Sequence, residues 1–416
     1  MVHNFRNNPS VVLWSIGNEV PGQGSPLGLQ TARFLQDICH REDPTRLVTM
    51  GIDNAQGAIN SHLAATIDVV GFTYRLQFYQ KAYQELAQRI VLGAETASTI
   101  SSRGTYYFPV VESANKKHDD NQCSGYDVER CSWSNLPDYD FIQHDDYSWT
   151  IGEFVWTGFD YLGEPTPYGS WPNHSSMFGI IDLAGIPKDR YYLYRSHWNP
   201  TEETLHILPH WTWPGREGET TPVFVYSNYP SAELFVNGKS QGRVYKDESL
   251  TIEKTDNEEA HRQLLLQRRY RLMWMDVKYE PGTLKVVAYD KAGKAVAAQE
   301  VHTAGKPDHL ELTADRTSLA SDGKDLSFIT VKVVDKNGNL CPEATHSVHF
   351  KVTGAGTYRA AANGDATNLE QFHLPKMSAF KGQLVAIVQS SEQGGKIQFE
   401  AEAKGLKKAV ISLQSK

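Results

Sequence analysis

Asn8-Pro9-Ser10-Val11-Val12-Leu13-Trp14-Ser15-Ile16-Gly17-Asn18-Glu19 is the stretch from which the fold is read. An apolar run over residues 11–16 stops at Gly17 and delivers two polar side chains, Asn18 and Glu19. Continuous apolar runs of this length are expected of strands covered on both faces, as in a parallel sheet flanked by helices. The same shape returns in Arg46-Leu47-Val48-Thr49-Met50, Ile67-Asp68-Val69-Val70-Gly71-Phe72, Ile90-Val91-Leu92-Gly93 and Phe154-Val155-Trp156-Thr157. Helical patterns near 25–42 and 78–88, then a long loop and a further helix, lie between them. Up to about residue 199 the chain therefore reads as five parallel strands joined by crossover helices.

Five such strands suit a Rossmann-like sheet or part of a barrel, and pattern alone does not choose between them. No GxGxxG or GxxxxGK[ST] follows any of the runs, which removes the main support for nucleotide binding. Glu19 ends the first run and Glu95, in Gly93-Ala94-Glu95-Thr96-Ala97-Ser98, ends a later one. In α/β barrels the carboxyl ends of strands face the active site. An acid at a strand-to-helix turn also serves as a helix cap, and two structural acids are the plainer reading. Two strand-end carboxylates are nevertheless the minimal set for glycoside hydrolysis, one protonating the departing oxygen and the other attacking or guiding water. Tyr74 and Trp156 stand at or near the ends of neighbouring runs, where an aromatic platform beside polar groups suits a sugar ring. Core packing is the competing account of Trp156.

A net charge of −8, with no stripe of Lys and Arg, argues against a nucleic-acid surface. At 416 residues, with 40% hydrophobic and 22% charged side chains, the chain has room for about three globular units. No apolar run approaches the roughly eighteen residues of a membrane span, and the opening Met1-Val2-His3-Asn4-Phe5-Arg6 has no signal-peptide pattern. As written, the chain reads as soluble and untargeted. None of Cys39, Cys123, Cys131 and Cys341 forms a CxxC pair; Cys123 and Cys131 are either bridged within one loop or two reduced thiols. No His, Asp and Glu cluster has metal-ligand spacing, and no cofactor is called for.

Past Trp198-Asn199-Pro200 the texture becomes short alternating segments between turn residues, an all-β pattern. One unit covers about 205–303, with strands at 222–226, 232–236 and 283–289 and a hairpin turn at Asn237-Gly238. A second covers 306–416, with strands at 328–334 and 383–388. Both read as immunoglobulin-like sandwiches. The charged segment 247–270 reads as a solvated excursion, and Trp211 and Trp213 as a pair packed at a domain junction in preference to a sugar-binding face.

The run from Asn8 to Glu19 closely resembles the acid/base signature of glycoside hydrolase family two. The run from Gly93 through Ser98, continuing to Ser102-Arg103-Gly104-Thr105-Tyr106, resembles the nucleophile segment of that family's bacterial β-galactosidases. Glu153-Phe154-Val155-Trp156-Thr157-Gly158-Phe159-Asp160-Tyr161-Leu162-Gly163-Glu164 is similar to its final barrel strand, and Lys278-Tyr279-Glu280-Pro281-Gly282 to the sandwich that follows the barrel.

The resemblance implies a multidomain chain: residues 1–200 as strands four to eight of a (β/α)8 TIM barrel, then the two all-β immunoglobulin-like sandwiches. It implies a retaining β-glycosidase with Glu19 as acid and then base and Glu95 as nucleophile. Asn18 would hold the sugar 2-hydroxyl, Tyr74 would hydrogen-bond Glu95, and Trp156 would lie under the sugar, with Asp160 and Glu164 at the rim. Thr73 stands where the family's pattern has Asn. Such chemistry needs unlike environments at the two acids, one protonated and one ionised, and carboxyl groups about 5–5.5 Å apart. The implied substrate is an oligo- or polysaccharide with terminal β-linked galactose. No Asn-x-Lys follows Glu95 to grip a sugar carboxylate, so β-glucuronidase and β-mannosidase are the alternatives, beside a non-catalytic carbohydrate-binding role. Family members commonly enter the periplasm through an N-terminal signal. Five strands alone would expose two edges. The expectation is therefore a truncated chain, weak or inactive unless a homo-oligomer or another barrel-completing partner covers them.

Overall fold

The computed structural model describes residues 1–416. The chain divides into two compact units, each assembled from separated segments. Residues 1–99, 130–156 and 251–256 form the first; residues 100–129, 157–250 and 257–416 form the second.

The first unit is a parallel sheet whose strands run in sequence order: β1 (Leu13–Asn18), β2 (Leu47–Ile52), β3 (Val69–Thr73), β4 (Val91–Ala97) and β5 (Thr150–Trp156). All of β3 and five of the six residues of β2 are buried, as strands covered on both faces require. Between β1 and β2 runs α1 (Pro26–Glu42), where Ser25 caps the Gly28 amide and Pro26 occupies the first turn. The remaining helices include α2 (Ala55–Asn60), capped by Asn54, α3 (Tyr79–Glu85) and α4 (Pro137–Asp146). Met50, Ile52, Val70, Phe72 and Val91 meet Leu63, Ile67, Tyr79 and Leu86 in one core. The sheet is open. Its edges are β1 and β5, and Val12, Ile151 and Phe154 beside or on them are 69%, 47% and 57% exposed.

Register shifts interrupt the ladder at four places: between Val91 and Gly93 at the start of β4, and between Ser15 and Asn18, between Phe72 and Thr73, and between Gly93 and Thr96. The last three lie toward the carboxyl ends of their strands. Bulges in such places re-aim the side chains that follow them.

The second unit contains two pairs of facing antiparallel sheets. In the first pair, Leu205–Leu208, Val223–Ser227 and Leu272–Trp274 face Ser231–Val236, Lys239–Tyr245, Thr283–Tyr289 and Ala295–His302. The hairpin at Asn237-Gly238 has positive φ at both residues, 50° and 80°, the backbone that a two-residue turn with the strands' twist needs. Trp211 is fully buried in this core, with its indole N–H on the Glu280 carbonyl, and Trp213 stacks on His210. In the second pair, Pro307–Ala314, Leu326–Asp335, Gln383–Ser390 and Gly356–Ala362 form one sheet, and Ala409–Ser415, Gly395–Ala403, Ser347–Gly354 and Lys376–Ser378 lie in the other.

In the segment 247–270 most charged side chains are exposed, as expected of a solvated excursion, but residues between them are not. Thr255 and Ala260 are buried on two short helices, Ile252–Thr255 and Glu258–Arg262, and Leu264, Leu266 and Gln267 are buried beyond them. All four cysteines are buried. No helix is long and apolar enough to cross a membrane.

Candidate active site

The site is built on the carboxyl ends of β1, β3, β4 and β5. Asn18 closes β1 opposite Gly51 of β2, and the next amide, Glu19 N–H, still donates to the Gly51 carbonyl at 2.9 Å. Glu19 takes φ 47°, which swings it off the strand path, and its carboxyl is exposed. A Cβ on Gly51 would lie 2.0 Å from the Asn18 side-chain oxygen, so only glycine leaves space for that carboxamide across the strand ends. From there Asn18 Nδ2 donates to Glu95 Oε2 at 3.3 Å.

Tyr74 follows β3 with φ 56°, and its N–H donates to the Glu95 carbonyl at 2.9 Å. Its hydroxyl donates to Glu95 Oε1 and lies 2.8 Å from Ser98 Oγ. The ring is buried and takes Trp133 edge-on at 4.9 Å. Burial, the hydrogen bond to Glu95 and the charges of Glu95 and Glu19 hold the phenol well above its ordinary value. Tyr74 therefore stays protonated and donates.

Trp156 ends β5 beside Ala97 in the ladder, and its carbonyl accepts the Ser98 amide at 3.1 Å. About a third of its surface is open. Asn18, Glu19, Tyr74, Glu95 and Trp156 thus share one edge of one sheet, within one unit. Chemically the two acids differ: Glu19 is exposed, and Glu95 is half-buried with both oxygens hydrogen-bonded.

Asp160 and Glu164 belong to the second unit. Asp160 is buried, accepts the Gly179 amide at 2.7 Å and pairs with Lys188 Nζ at 2.7 Å. Burial pushes its carboxyl up to about 6 against the lowering pull of Lys188. Both of its oxygens are engaged by the protein itself. Glu164 is exposed and accepts from the Tyr161 and Thr166 hydroxyls.

Sequence reading did not single out Ser98, Gly51 or Trp133. Ser98 lay within the quoted nucleophile segment without a role, and its φ of 57° is invisible to pattern. Gly51 falls just past the strand read over residues 46–50, and only the Asn18 carboxamide lying over it reveals why it is glycine. Thr73 is fully buried, and its hydroxyl has no partner. No group of three His, Cys, Asp or Glu side chains is arranged to hold a metal ion.

A parallel sheet with acids, an amide and aromatics at its carboxyl edge, followed by antiparallel sheet domains, defines the class. Residues 1–200 match the TIM barrel domain of the glycosyl hydrolases family 2, and residues 310–412 match the glycoside hydrolase family 2 C-terminal domain 5; residues 218–297 match a domain of unknown function. The chain belongs to glycoside hydrolase family 2. It is 36% identical over 450 residues to the beta-galactosidase BoGH2A of Bacteroides ovatus, an alignment that takes in 99% of this chain and 50% of that protein. A putative beta-glucuronidase of Formosa agariphila is 27% identical over 86% of this chain and 34% of its own length. Among solved structures, a beta-glycosidase from Bacteroides vulgatus superposes with a TM-score of 0.80 at 29% identity, over 98% of this chain and 51% of that one. The chain spans about half the length, or less, of these relatives.

Proposed function

We propose that the chain carries the catalytic machinery of a retaining β-glycosidase, with terminal β-linked galactose as its substrate. The observation that carries this is the Glu95 carboxylate held by Tyr74 and Asn18 beside Glu19, at the carboxyl edge of a parallel sheet. In the first step Glu95 attacks the anomeric carbon while Glu19 gives its proton to the departing oxygen. In the second, Glu19 takes a proton from water as it attacks, and Glu95 leaves as a carboxylate. On this reading Asn18 holds the sugar 2-hydroxyl and Trp156 lies under the ring, both from the carboxyl edge of the same sheet.

The sequential five-stranded sheet with exposed apolar residues at both edges supports reading residues 1–200 as part of a (β/α)8 barrel. The facing sheets of 205–303 and 306–416 support two immunoglobulin-like sandwiches. On this reading catalysis requires the rest of the barrel.

The test is hydrolysis of nitrophenyl β-galactoside by the protein with its barrel complete, with Glu19→Gln and Glu95→Gln each expected to abolish turnover and keep ligand binding. Proton NMR of the first-formed sugar decides the stereochemistry, and an inverted anomer at early times rules out Glu95 as nucleophile. A second reading, β-glucuronidase, is favoured by the names of several relatives, and preference for nitrophenyl β-glucuronide establishes it.

A further inference from the structure

The strand end that bears Glu95 is gripped from its buried side by two acids that the proposed chemistry does not use. Thr96 Oγ1 donates to Glu153 Oε2 at 2.6 Å, and the Ala97 amide donates to Asp140 Oδ2 at 3.2 Å. Ala97 and Ser98 both adopt left-handed backbone, φ 58° and 57°, and both are buried. That double bend returns Ser98 Oγ to the Tyr74 hydroxyl, which in turn holds Glu95. A non-glycine residue in this region persists only where its surroundings fix it.

Resting on the reading of Glu95 as nucleophile, we propose that Asp140 and Glu153 are positioning residues: by holding Ala97 N–H and Thr96 Oγ1 they fix the bend that turns Glu95 and Ser98 onto Tyr74. Space for this grip exists because position 93 is glycine; a Cβ there would lie 2.6 Å from Thr96 Cγ2 and 3.1 Å from both Glu153 Cβ and the Tyr79 hydroxyl.

Asp140 performs this task as the neutral acid. It is fully buried on α4, and burial together with the charges of Glu153 and Asp138 raises it well above the usual carboxylate range, with only the Ala97 amide pulling the other way. Tyr79, which His144 meets edge-on at 6.2 Å, is raised by burial, Asp140 and Glu153, so it too stays neutral. With Oδ2 accepting from Ala97, Oδ1 has no partner and is free to carry the proton. A neutral Asp140 keeps a further negative charge away from a nucleophile that must itself remain ionised.

The decisive readout is the titration of Glu95, followed by carboxyl carbon-13 NMR in the purified protein. Tyr74→Phe removes the donor and sets the reference shift. Asp140→Ala is expected to move the Glu95 titration in the same direction, because the bend relaxes, while Asp140→Asn, a neutral isostere that still accepts from Ala97, leaves it at the wild-type position. Where Asp140→Ala does not fold, Thr96→Val removes only the hydroxyl that Glu153 accepts, and the same shift is expected. A Glu95 titration unchanged in the folded variant, or moved equally by Asp140→Asn, overturns the proposal. Turnover adds a second arm: Asp140→Ala lowers kcat by roughly tenfold to a hundredfold with KM little changed, as expected for a misaimed group, and Asp140→Asn restores it. A protein with its barrel complete that hydrolyses no β-glycoside sinks the assignment of Glu95 as nucleophile, and the NMR arm still decides whether the acids hold the bend.

Discussion

Replacing Tyr74 by Phe isolates one hydroxyl. The ring, its burial and its edge-on contact with Trp133 are kept; what disappears is the donor to Glu95 Oε1 and the neighbour of Ser98 Oγ. On the proposed mechanism, Glu95 is a carboxylate in the free enzyme and after release of the sugar, and the bond is charge-assisted. In the glycosyl-enzyme Glu95 is an ester, a neutral acceptor. A hydrogen bond to a charged group contributes about 1.5–3 kcal/mol and one between neutral groups about 0.5–1.5, so about 1 to 1.5 kcal/mol is gained as the carboxylate re-forms. Only interactions that strengthen toward the transition state accelerate a step. The departure of Glu95 from the sugar should therefore slow by about five- to tenfold in the variant, since about 1.4 kcal/mol is a factor of ten. Its attack on the substrate loses alignment but is relieved of that stabilised ground state. The glycosyl-enzyme should accumulate, seen as a burst of nitrophenol in stopped flow and as a sugar-bearing peptide containing Glu95 by mass spectrometry. A variant with reduced kcat/KM, no burst and no trapped peptide refutes the reasoning, because the hydroxyl would then act on attack alone.

Three further outcomes follow from contacts already described or adjoining them. Arg103, buried in the second unit, donates to Asp182 at 2.6 Å and to the carbonyls of Asn363 and Phe380; Arg103→Met strands the Asp182 charge and should destabilise by about 3–5 kcal/mol. Urea unfolding checks it, and Asp182→Asn in the Arg103→Met background should recover part of the loss. His210 is held down to about 3, first by burial and then by the Lys381 charge, whereas the unfolded side chain titrates near its ordinary value. Below about pH 6.5 the unfolded chain gains a proton that the folded one refuses, so stability falls by about 1.4 kcal/mol per pH unit down toward the folded value. His210→Phe, which keeps the stack on Trp213, should flatten that slope in urea titrations at pH 4 to 6. Gly93→Ala forces its Cβ against Thr96 and Glu153 and should destabilise by about 1–3 kcal/mol, with activity falling more than a lowered melting temperature explains.

The sheet was readable because its strands are apolar on both faces, and the order of the runs is the order of the strands. Glu19 and Glu95 stood out by their place at strand ends, and the Tyr74–Glu95 contact followed from the family resemblance. Other parts needed coordinates. Asp140 and Glu153 are ordinary acids in a helix and a strand until the register brings them to Ala97 and Thr96. Arg103 meets Asn363 and Phe380 across 260 and 277 residues, a distance over which local pattern carries no information. Asp160 entered as a rim residue through the family resemblance alone, and its pairing with Lys188, 28 residues on, was not legible in local pattern. The charge of 247–270 suggested solvent, which holds for most of its charged side chains and not for residues between them.

Strain joins the fold to the site. Glu19, Tyr74, Ala97 and Ser98 all have left-handed backbone without being glycine, a conformation that costs on the order of 1–3 kcal/mol each. Each of the four has its own amide tied: Glu19 to Gly51, Tyr74 to Glu95, Ala97 to Asp140 and Ser98 to Trp156. A net contribution of about 1 kcal/mol per hydrogen bond offsets only part of that strain. The remainder falls on the sheet, since three of the four acceptors are carbonyls of β2, β4 and β5 and the fourth is a side chain of α4. The aim of the two glutamates is therefore not a local property of their loops. It depends on β1 through β5 staying in register, so loosening either edge strand should disturb the site before it unfolds the core.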